Sequence, residues 1–363
     1  MSYLYILVLA QQRQMEEALR LIEEEELLVE GIPLEQGIFL CIKAKVLHIA
    51  SRHKEANHAL HQARQIATKV KGNDDQELVQ TISETTKFLS SPPPTKEKPN
   101  LTDEEREYLE VDADALMEKG NIEEADSCYK QALIYYKQAL NIYKWIDYTQ
   151  GIIKVHQKTG VVYRILVEYD KALEELNIAT QLAEKHNFFF LQANTYNSMG
   201  TVYDNQGQCQ KALEYHNKAS KINETIGNQY GEAINLGDIG NVYINIGQYQ
   251  KALEYHQKAL KMNKAIGNRE REEKSLGNIG LAYKNLGQYP NAIHHYECAI
   301  KLSREVGDKR GEGIFLGNLG DILCRLERWE EARKSLQDAI DICESINYPA
   351  HHAFRGTLAF VFG

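Results

Sequence analysis

The sequence of 363 residues lacks any apolar stretch that could cross a membrane. Its longest uninterrupted one, Tyr3–Ala10, is far shorter than the ~20 residues of a membrane helix. It also lacks the basic leader and the small-residue cleavage site of a secretion signal. The six cysteines are scattered without a Cys-x-x-Cys pair, which predicts reduced thiols in a cytoplasmic protein. The net charge of −9 disfavours nucleic acid as the main partner.

Motifs of catalysis and nucleotide binding are missing as well. There is no Gly-x-x-x-x-Gly-Lys-Ser/Thr, no His-Glu-x-x-His and no Gly-x-Ser-x-Gly. Gly237 and Gly240 lie in a helical pattern rather than after a strand, so a dinucleotide fingerprint has no context. His216 and His256 are equivalent by repeat but are separated by an intervening helix, so we expect core-edge residues and not metal ligands. The sequence therefore predicts a protein that is not an enzyme and has neither cofactor nor metal.

What the sequence does contain is an internal repeat. Five glycines stand 40 residues apart, four of them followed by tyrosine three residues on. Alanines stand twelve and nineteen residues after each glycine, beginning with Ala172 and Ala179. Small residues at fixed places on helices let neighbouring helices approach closely. The glycine column consists of Gly160, Gly200, Gly240, Gly280 and Gly320.

The spacing within each unit is helical. Apolar residues recur at i, i+3, i+4 and i+7, as in the segment 239–246. A glycine then marks the turn between two helices, and a second glycine is followed by Asn or Asp, which predicts the cap of the next helix. The predicted caps are Asn228, Asn268 and Asp308. Each unit is therefore a helix–turn–helix pair that buries its apolar face only by stacking on its neighbours.

This pattern resembles the tetratricopeptide repeat, although its period of 40 differs from the usual 34. The segments Leu-Gly-Asp-Ile-Gly-Asn at 236–241, Leu-Gly-Asn-Ile-Gly at 276–280 and Leu-Gly-Asn-Leu-Gly at 316–320 are similar to the Leu-Gly-Asn repeat adaptors that orient mitotic spindles. Kinesin light chains are a more distant likeness. The resemblance covers about residues 150–346. It implies an all-α, right-handed superhelix (α-solenoid) of about eight helix–turn–helix repeats.

Four regions follow from the pattern. We expect a degenerate repeat-like helical block at 1–89, a Pro-rich linker or loop at 90–102, a regular array at 103–346 and a partial capping helix at 347–363. A seven-residue duplication in 129–140 predicts that its unit is 47 rather than 40 residues from the next, with a protruding second helix. The apolar residues 350–363 are expected to cap the array, to pair with a second copy of the chain, or to mark a cut from a longer protein.

The resemblance implies that ligand contacts come from fixed positions on the first helix of each pair, which lines a concave groove. Asparagine suits such positions because its amide both donates and accepts, so it can hold a peptide backbone. The alternative is that these amides only cap or bridge turns. We also expect the missing side chains at Gly237, Gly277 and Gly317 to admit a peptide backbone. The candidate groove residues are Asn197, Ser198, Thr201, Asp204, Asn205, Asp238, Asn241, Asn245, Lys274, Asn278, Lys284, Asn285, Asn318, Asp321 and Arg325.

Three consecutive phenylalanines, Phe188, Phe189 and Phe190, precede one of the first helices. They are expected to form a buried staple, with an aromatic anchor for a partner as the alternative. The function predicted for the chain is a non-catalytic scaffold that binds a peptide segment of a partner protein in the groove. The alternative is a peptide-sensing or regulatory module of a signalling protein.

Overall fold

A computed structural model describes residues 6–7, 9–10, 14–29, 32–67, 74–90 and 102–362. These residues are helical apart from short turns, and no strand occurs among them. Most of the predicted linker at 90–102 lies outside them. No helix in these ranges has the length and apolarity needed to span a membrane. The helices are α1 Met15–Leu28, α2 Pro33–Ile49, α3 His53–Ala67, α4 Asp74–Ser90, α5 Asp103–Ala125, α6 Tyr129–Trp145, α7 Thr149–Ile165, α8 Tyr169–Lys185, α9 Phe189–Asn205, α10 Cys209–Thr225, α11 Gln229–Asn245, α12 Tyr249–Ala265, α13 Arg269–Asn285, α14 Tyr289–Val306, α15 Lys309–Arg325, α16 Trp329–Ser345 and α17 His351–Phe362.

The chain divides into two compact units, Met1–Val162 and Tyr163–Gly363. In the first unit, α2 and α3 pack against each other as a pair, α4 contacts both, and α5 pairs with α6. The core between α2 and α3 is built from small and medium side chains such as Cys41, Ala44, Ala56 and Ala63. The described residues of 15–90 are thus packed helices, and the bounds and repeat-like character of the predicted N-terminal block stay a prediction.

The second unit is a run of helix pairs. Helices α9 and α10, α11 and α12, α13 and α14, and α15 and α16 pack against each other, and each second helix also packs on the first helix of the next pair. First helices of consecutive pairs touch as well, from α9 with α11 to α15 with α17. Because each helix contacts only near neighbours in sequence, the unit is an all-α helical-repeat array, as predicted.

A left-handed residue ends each helix of the regular array. From Ser127 to Asn347 this residue recurs every 20 positions, and its φ lies between +53° and +79°. Six of these positions are glycine, which has no Cβ to clash in that conformation. Among the others is Val167, a β-branched residue at φ 64°. Every turn thus requires a residue in the left-handed conformation, but the sequence provides glycine at only half of these positions.

The predicted helix caps are confirmed. The side chains of Asn228, Asn268 and Asp308 accept hydrogen bonds from the backbone N–H groups of Gly231, Arg271 and Gly311, three residues on. Each bond satisfies one of the free N–H groups in the first helical turn. Asn and Asp after the turn glycine therefore mark where α11, α13 and α15 begin.

The glycine column brings the two helices of each pair together. A Cβ on Gly200, Gly240 or Gly280 would lie 2.7–2.9 Å from the ring sixteen residues later, which is His216, His256 or Tyr296. These rings are buried against the glycine backbone. The glycine is therefore required by the bulk of its partner ring.

The unit containing the seven-residue duplication keeps the same register, which corrects one prediction. Gly120 faces the Tyr136 ring just as Gly280 faces Tyr296, and it lies 40 residues before Gly160. Helix α6 has 17 residues, like α8 and α10. The expected offset of 47 residues and the protruding helix are thus wrong, because the second copy in 129–140 supplies the ring of the column rather than an insertion.

We expect Val167→Gly to stabilise the chain by about 1 kcal/mol. The substitution removes the steric cost of a left-handed β-branched residue, ~1–2 kcal/mol, and part of that gain is offset by the greater freedom of glycine in the unfolded chain. Little packing is lost, since the Val167 side chain is 65% exposed. Urea unfolding followed by circular dichroism measures the change. The reverse substitution at an equivalent turn, Gly247→Val, should destabilise the chain by a similar amount. If both variants are as stable as the parent, the left-handed conformation at these turns has no steric cost for valine.

Candidate functional site

Most of the candidate groove residues connect one first helix to the next. Asn197 on α9 is the centre of the first connection. Its Nδ2 donates to Asp238 Oδ2 (3.0 Å), and its Oδ1 accepts from Asn235 Nδ2 (2.6 Å). The same Oδ1 lies 2.7 Å from Nδ1 of His216, which must donate because the amide oxygen only accepts. Asn197 therefore joins α9, α10 and α11.

The network continues along buried amides. Asn235 Oδ1 accepts from Asn223 Nδ2 (2.7 Å), and Asn223 Oδ1 accepts from Asn228 Nδ2 (2.8 Å). Asn228 is the cap of α11, so the chain of hydrogen bonds runs from a helix terminus to the ring of His216. Asn223 and Asn235 are nearly inaccessible to solvent. Buried amides with their partners in place stabilise one arrangement of the helices.

Three further connections lie between consecutive first helices. Asn245 donates to both carboxylate oxygens of Asp204 (3.1 Å each). Asn278 donates to Asn241 Oδ1 (2.9 Å). Lys284 bonds Asn318 (3.3 Å) and forms an ion pair with Asp321 (2.7 Å), which Arg325 also approaches (3.4 Å). These side chains are thus brought together across the array, but much of their bonding capacity is used within the chain.

The remaining candidates make local bonds or face solvent. Ser198, Thr201 and Asn285 donate to backbone carbonyls four residues earlier on their own helices. Asn205 and Lys274 are exposed. Asn205, Asn245 and Asn285 therefore differ in their partners, and whether any of them contacts a ligand stays a prediction.

The three glycines expected to admit a peptide backbone differ from one another. A Cβ on Gly277 would overlap the ring of Phe315, and one on Gly317 would overlap the ring of Phe354. At these two glycines the space is filled by an aromatic side chain from the next first helix, so the expectation of open backbone there is wrong. A Cβ on Gly237 would meet nothing within 4 Å. Only this glycine of the three borders open space.

The open space is a cavity of about 610 Å³ between α11, α12, α13 and the start of α15, which we call the Gly237 cavity. It exists because Ser275 stands where the next pair has Phe315 and the previous pair has Asn235. The serine side chain is too short to reach across. Of the candidate groove residues, Asp238, Asn241, Lys274 and Asn278 line the cavity.

Buried polar atoms in the cavity wall have no hydrogen-bond partner in the chain. They are both ring nitrogens of His256, Oδ1 of Asn263 and Oε2 of Glu273. The three side chains are only 1–2% exposed. His256 is unpartnered because Gly237 stands where the previous pair has Asn197, the residue that serves His216. Unpaired buried polar groups carry a desolvation cost of ~1–3 kcal/mol, which a bound ligand would relieve.

Burial also changes the ionisation of the wall. It lowers the pKa of His256 to about 4, so the ring is neutral at pH 7. Burial raises the pKa of the Glu273 carboxyl, although the hydrogen bond from Ser303 (2.7 Å) partly opposes the shift. The pKa of Asp238 is raised by burial too, against the opposing effects of Asn197 and Arg271. The wall thus offers a neutral His256 ring and two carboxyls of raised pKa beside the charged groups of Arg271, Lys274 and Arg310.

Sequence reasoning missed Asn263, Glu273 and Ser275 as site residues. The signal that could have identified them is the combination of Gly237 with a small residue, Ser275, 38 positions later. At the same two positions the neighbouring repeats have Asn197 with Asn235 and Gly277 with Phe315.

The buried staple predicted at Phe188–Phe190 is corrected. Phe189 and Phe190 are 49% and 54% exposed, while Phe188 stacks on His186 with ring centroids 5.8 Å apart.

No group of three or more His, Cys, Asp or Glu residues in the described part of the chain has an arrangement that could hold a metal ion. His216 and His256 each face the glycine of their own pair instead. The six cysteines are all free thiols, two of them buried.

Comparison with known proteins identifies the repeat. Family models described as tetratricopeptide repeat match residues 113–138, 191–265 and 271–345. No curated protein sequence matches the chain.

Solved structures share the fold at low identity. A signal-transduction ATPase with numerous domains (STAND) from Pyrococcus horikoshii, which has a tetratricopeptide repeat sensor, aligns over 97% of this chain with a TM-score of 0.61 and 18% identity. The chain spans about half (49%) of that protein. Aspartyl phosphate phosphatase F from Bacillus subtilis aligns over 99% of this chain and 93% of its own, with a TM-score of 0.56 and 14% identity.

The Rap conjugation gene regulator of the plasmid pLS20, in complex with the Phr* peptide, aligns over 90% of this chain and 94% of its own, with a TM-score of 0.51 and 15% identity. At these identities the likeness concerns the fold. Residues 113–138, 191–265 and 271–345 thus match the tetratricopeptide repeat, and the described residues fold as an all-α array of helix pairs.

Proposed function

We propose that the chain is a non-catalytic module that binds an extended peptide segment of a partner protein along the first helices of the second unit, with the Gly237 cavity as the central subsite. The observation that carries this proposal is the cavity itself. Here no side chain fills the space between consecutive first helices, and buried polar atoms lack partners. Pockets of this size with a few convergent polar groups are typical ligand sites.

The surroundings of the cavity support a peptide as the occupant. Asp238, Asn241 and Asn278 stand at its edge on α11 and α13, in line with the other polar residues of the first helices. Amides and carboxylates in such a row can bond to a peptide backbone without requiring one sequence. One structural neighbour was solved with a peptide bound, and another is described as a sensor.

The alternative, a peptide-sensing or regulatory module, has its own supporting observation. The Gly237 cavity lies at the joint between two consecutive pairs, so a ligand that fills it would add contacts between α11 and α13 that the chain itself does not make. Such a ligand shifts the array toward the conformation it binds best. A smaller radius of gyration in small-angle scattering on peptide binding favours the sensor, and an unchanged one favours the scaffold.

Cytoplasmic location and self-association belong to the proposal as well. Within the chain, Phe354 of the apolar C-terminal helix α17 packs over Gly317, while Phe360 is 92% exposed. Phe360 is the residue through which a second copy would dock.

Ser275→Phe is expected to weaken peptide binding by at least about tenfold. The introduced ring should pack over Gly237 as Phe315 packs over Gly277, which fills the cavity with an arrangement the fold already accepts. Peptides selected on the parent chain from a random dodecapeptide display library serve as probes, and calorimetry gives their affinities.

Ser345→Phe, at an exposed position on α16, is the matched control and should bind like the parent. An unchanged unfolding midpoint in Ser275→Phe shows that the fold is intact. Failure of the parent to select any peptide would contradict the proposed function. Equal affinity of the parent and Ser275→Phe would exclude the cavity as a subsite.

A further inference from the structure

One pair before the Gly237 cavity, the same place is occupied by a carboxamide from the chain itself. Asn197 accepts from His216 Nδ1 (2.7 Å) and from Asn235 (2.6 Å), and it donates to Asp238 (3.0 Å). Two sites related by the repeat thus differ in one respect. The ring of His216 has its amide partner, and the ring of His256 does not.

The unpartnered atoms of the cavity specify what would complete it. A neutral His256 ring has one N–H that needs an acceptor and one nitrogen that needs a donor. Asn263 Oδ1 and Glu273 Oε2 both need donors. A primary carboxamide supplies one acceptor oxygen and two N–H donors. In number, it supplies the acceptor that the His256 N–H needs and two of the three donors that the second ring nitrogen of His256, Asn263 Oδ1 and Glu273 Oε2 need.

Aliphatic, aromatic and charged side chains lack the donors, the acceptor or both. An aliphatic or aromatic side chain offers no hydrogen bonds. A carboxylate has no donor for Asn263 or Glu273 and brings a second acid beside Glu273. An ammonium or guanidinium group has no acceptor for the His256 N–H.

Resting on the proposed function, we propose that the Gly237 cavity receives the carboxamide side chain of an asparagine or glutamine in the bound peptide, in the place that Asn197 occupies one pair earlier. The carboxamide is recognised through the N–H of His256, whose counterpart His216 bonds Asn197 one pair earlier, and Asn263 and Glu273 line the same cavity. The rest of the peptide lies along the first helices, where Asn241 and Asn278 border the cavity.

The proposal is tested first by supplying the amide from the chain. Gly237→Asn should pair with His256 as Asn197 pairs with His216, and there is room for it because a Cβ at Gly237 meets no atom within 4 Å. The matched control is Gly237→Ala, which adds the Cβ without the amide. Alanine is the better helix former. A higher unfolding temperature for Gly237→Asn than for Gly237→Ala therefore reports the new hydrogen bonds, and a lower one overturns the proposal.

Peptide selection gives the second readout. From a random dodecapeptide library, the parent chain and Gly237→Ala should enrich Asn or Gln at one position at least about fivefold over Asp, Lys and Leu. Gly237→Asn should lose that preference. The carboxamide assignment alone is overturned by either of two results. In one, the selected peptides favour a charged or apolar residue at every position; in the other, an Asn/Gln preference persists in Gly237→Asn. A library from which no peptide is selected removes the proposed function together with this inference.

Discussion

Between pH 6.5 and pH 4, the free energy of unfolding should fall by about 5 kcal/mol more in this protein than in the double variant His216→Leu/His256→Leu. Burial lowers the pKa of both histidines to about 4, from an ordinary value of 6.5. For His216, the nearby charge of Asp204 opposes the shift only in part. A difference of this size corresponds to about 3 kcal/mol for each ring.

The sign follows from where the proton binds. Because the folded pKa is lower than the unfolded one, the unfolded chain takes up protons first as the pH falls below 6.5. The contribution of the neutral buried rings is complete above pH 6.5 and is lost by about pH 4. The carboxyls of Asp238 and Glu273 work in the opposite direction, since burial raises the pKa of each and protonation favours the folded state. The comparison with the double variant cancels their effect.

Leucine is a suitable replacement because the array already uses it at this place. Leu176 and Leu336 occupy the corresponding positions of two other pairs and are fully buried. Urea unfolding at several pH values between 7 and 4 measures both proteins. If the parent and the double variant lose stability in parallel over this range, the two rings are not buried in neutral form in solution.

Asn197→Ala is expected to destabilise the chain by about 2–4 kcal/mol. The substitution leaves the N–H of His216, one N–H of Asn235 and a carboxylate oxygen of Asp238 without their partner. Each buried polar group that loses its only partner costs ~1–3 kcal/mol, and part of the sum is recovered by water where Asp238 is half-buried. Chemical unfolding at pH 7 gives the free-energy change.

Asn205→Ala provides the control, because Asn205 lies on the same helix and is exposed. Both variants gain the same helix propensity on replacing asparagine by alanine, so their difference isolates the lost hydrogen bonds. We expect Asn205→Ala to differ from the parent by less than ~0.5 kcal/mol. Equal stability of the two variants would mean that the amide network does not hold α9 against α11 in solution.

The helix pairs and their turns could be predicted from the sequence because they depend on local chemistry. Glycine or a small residue at a fixed place, an Asn or Asp cap, and apolar residues at helical spacing each act within a few residues of the chain. The predicted caps Asn228, Asn268 and Asp308 are confirmed for this reason. The register of the unit around Gly120 was mispredicted, because the duplication in 129–140 was interpreted as an insertion although Gly120 continues the glycine column.

The candidate site could be predicted only in part. The rule for first helices found Asp238, Asn241, Lys274 and Asn278, which line the cavity. It could not separate them from Asn197 or Asp204, which bond to the next first helix and do not line the cavity. It also treated Gly237, Gly277 and Gly317 alike, because the residue that fills or leaves the space lies 37–38 positions away on another helix.

By itself, the sequence determined that this protein is a helical-repeat array and where α11, α13 and α15 begin, since these features follow from periodicity and from caps formed by neighbouring residues. The tertiary structure decided which polar side chains bond to one another and which remain available. That outcome depends on the volume between consecutive first helices. At Gly237 the opposing Ser275 is too small to fill it, whereas at Gly277 the ring of Phe315 does.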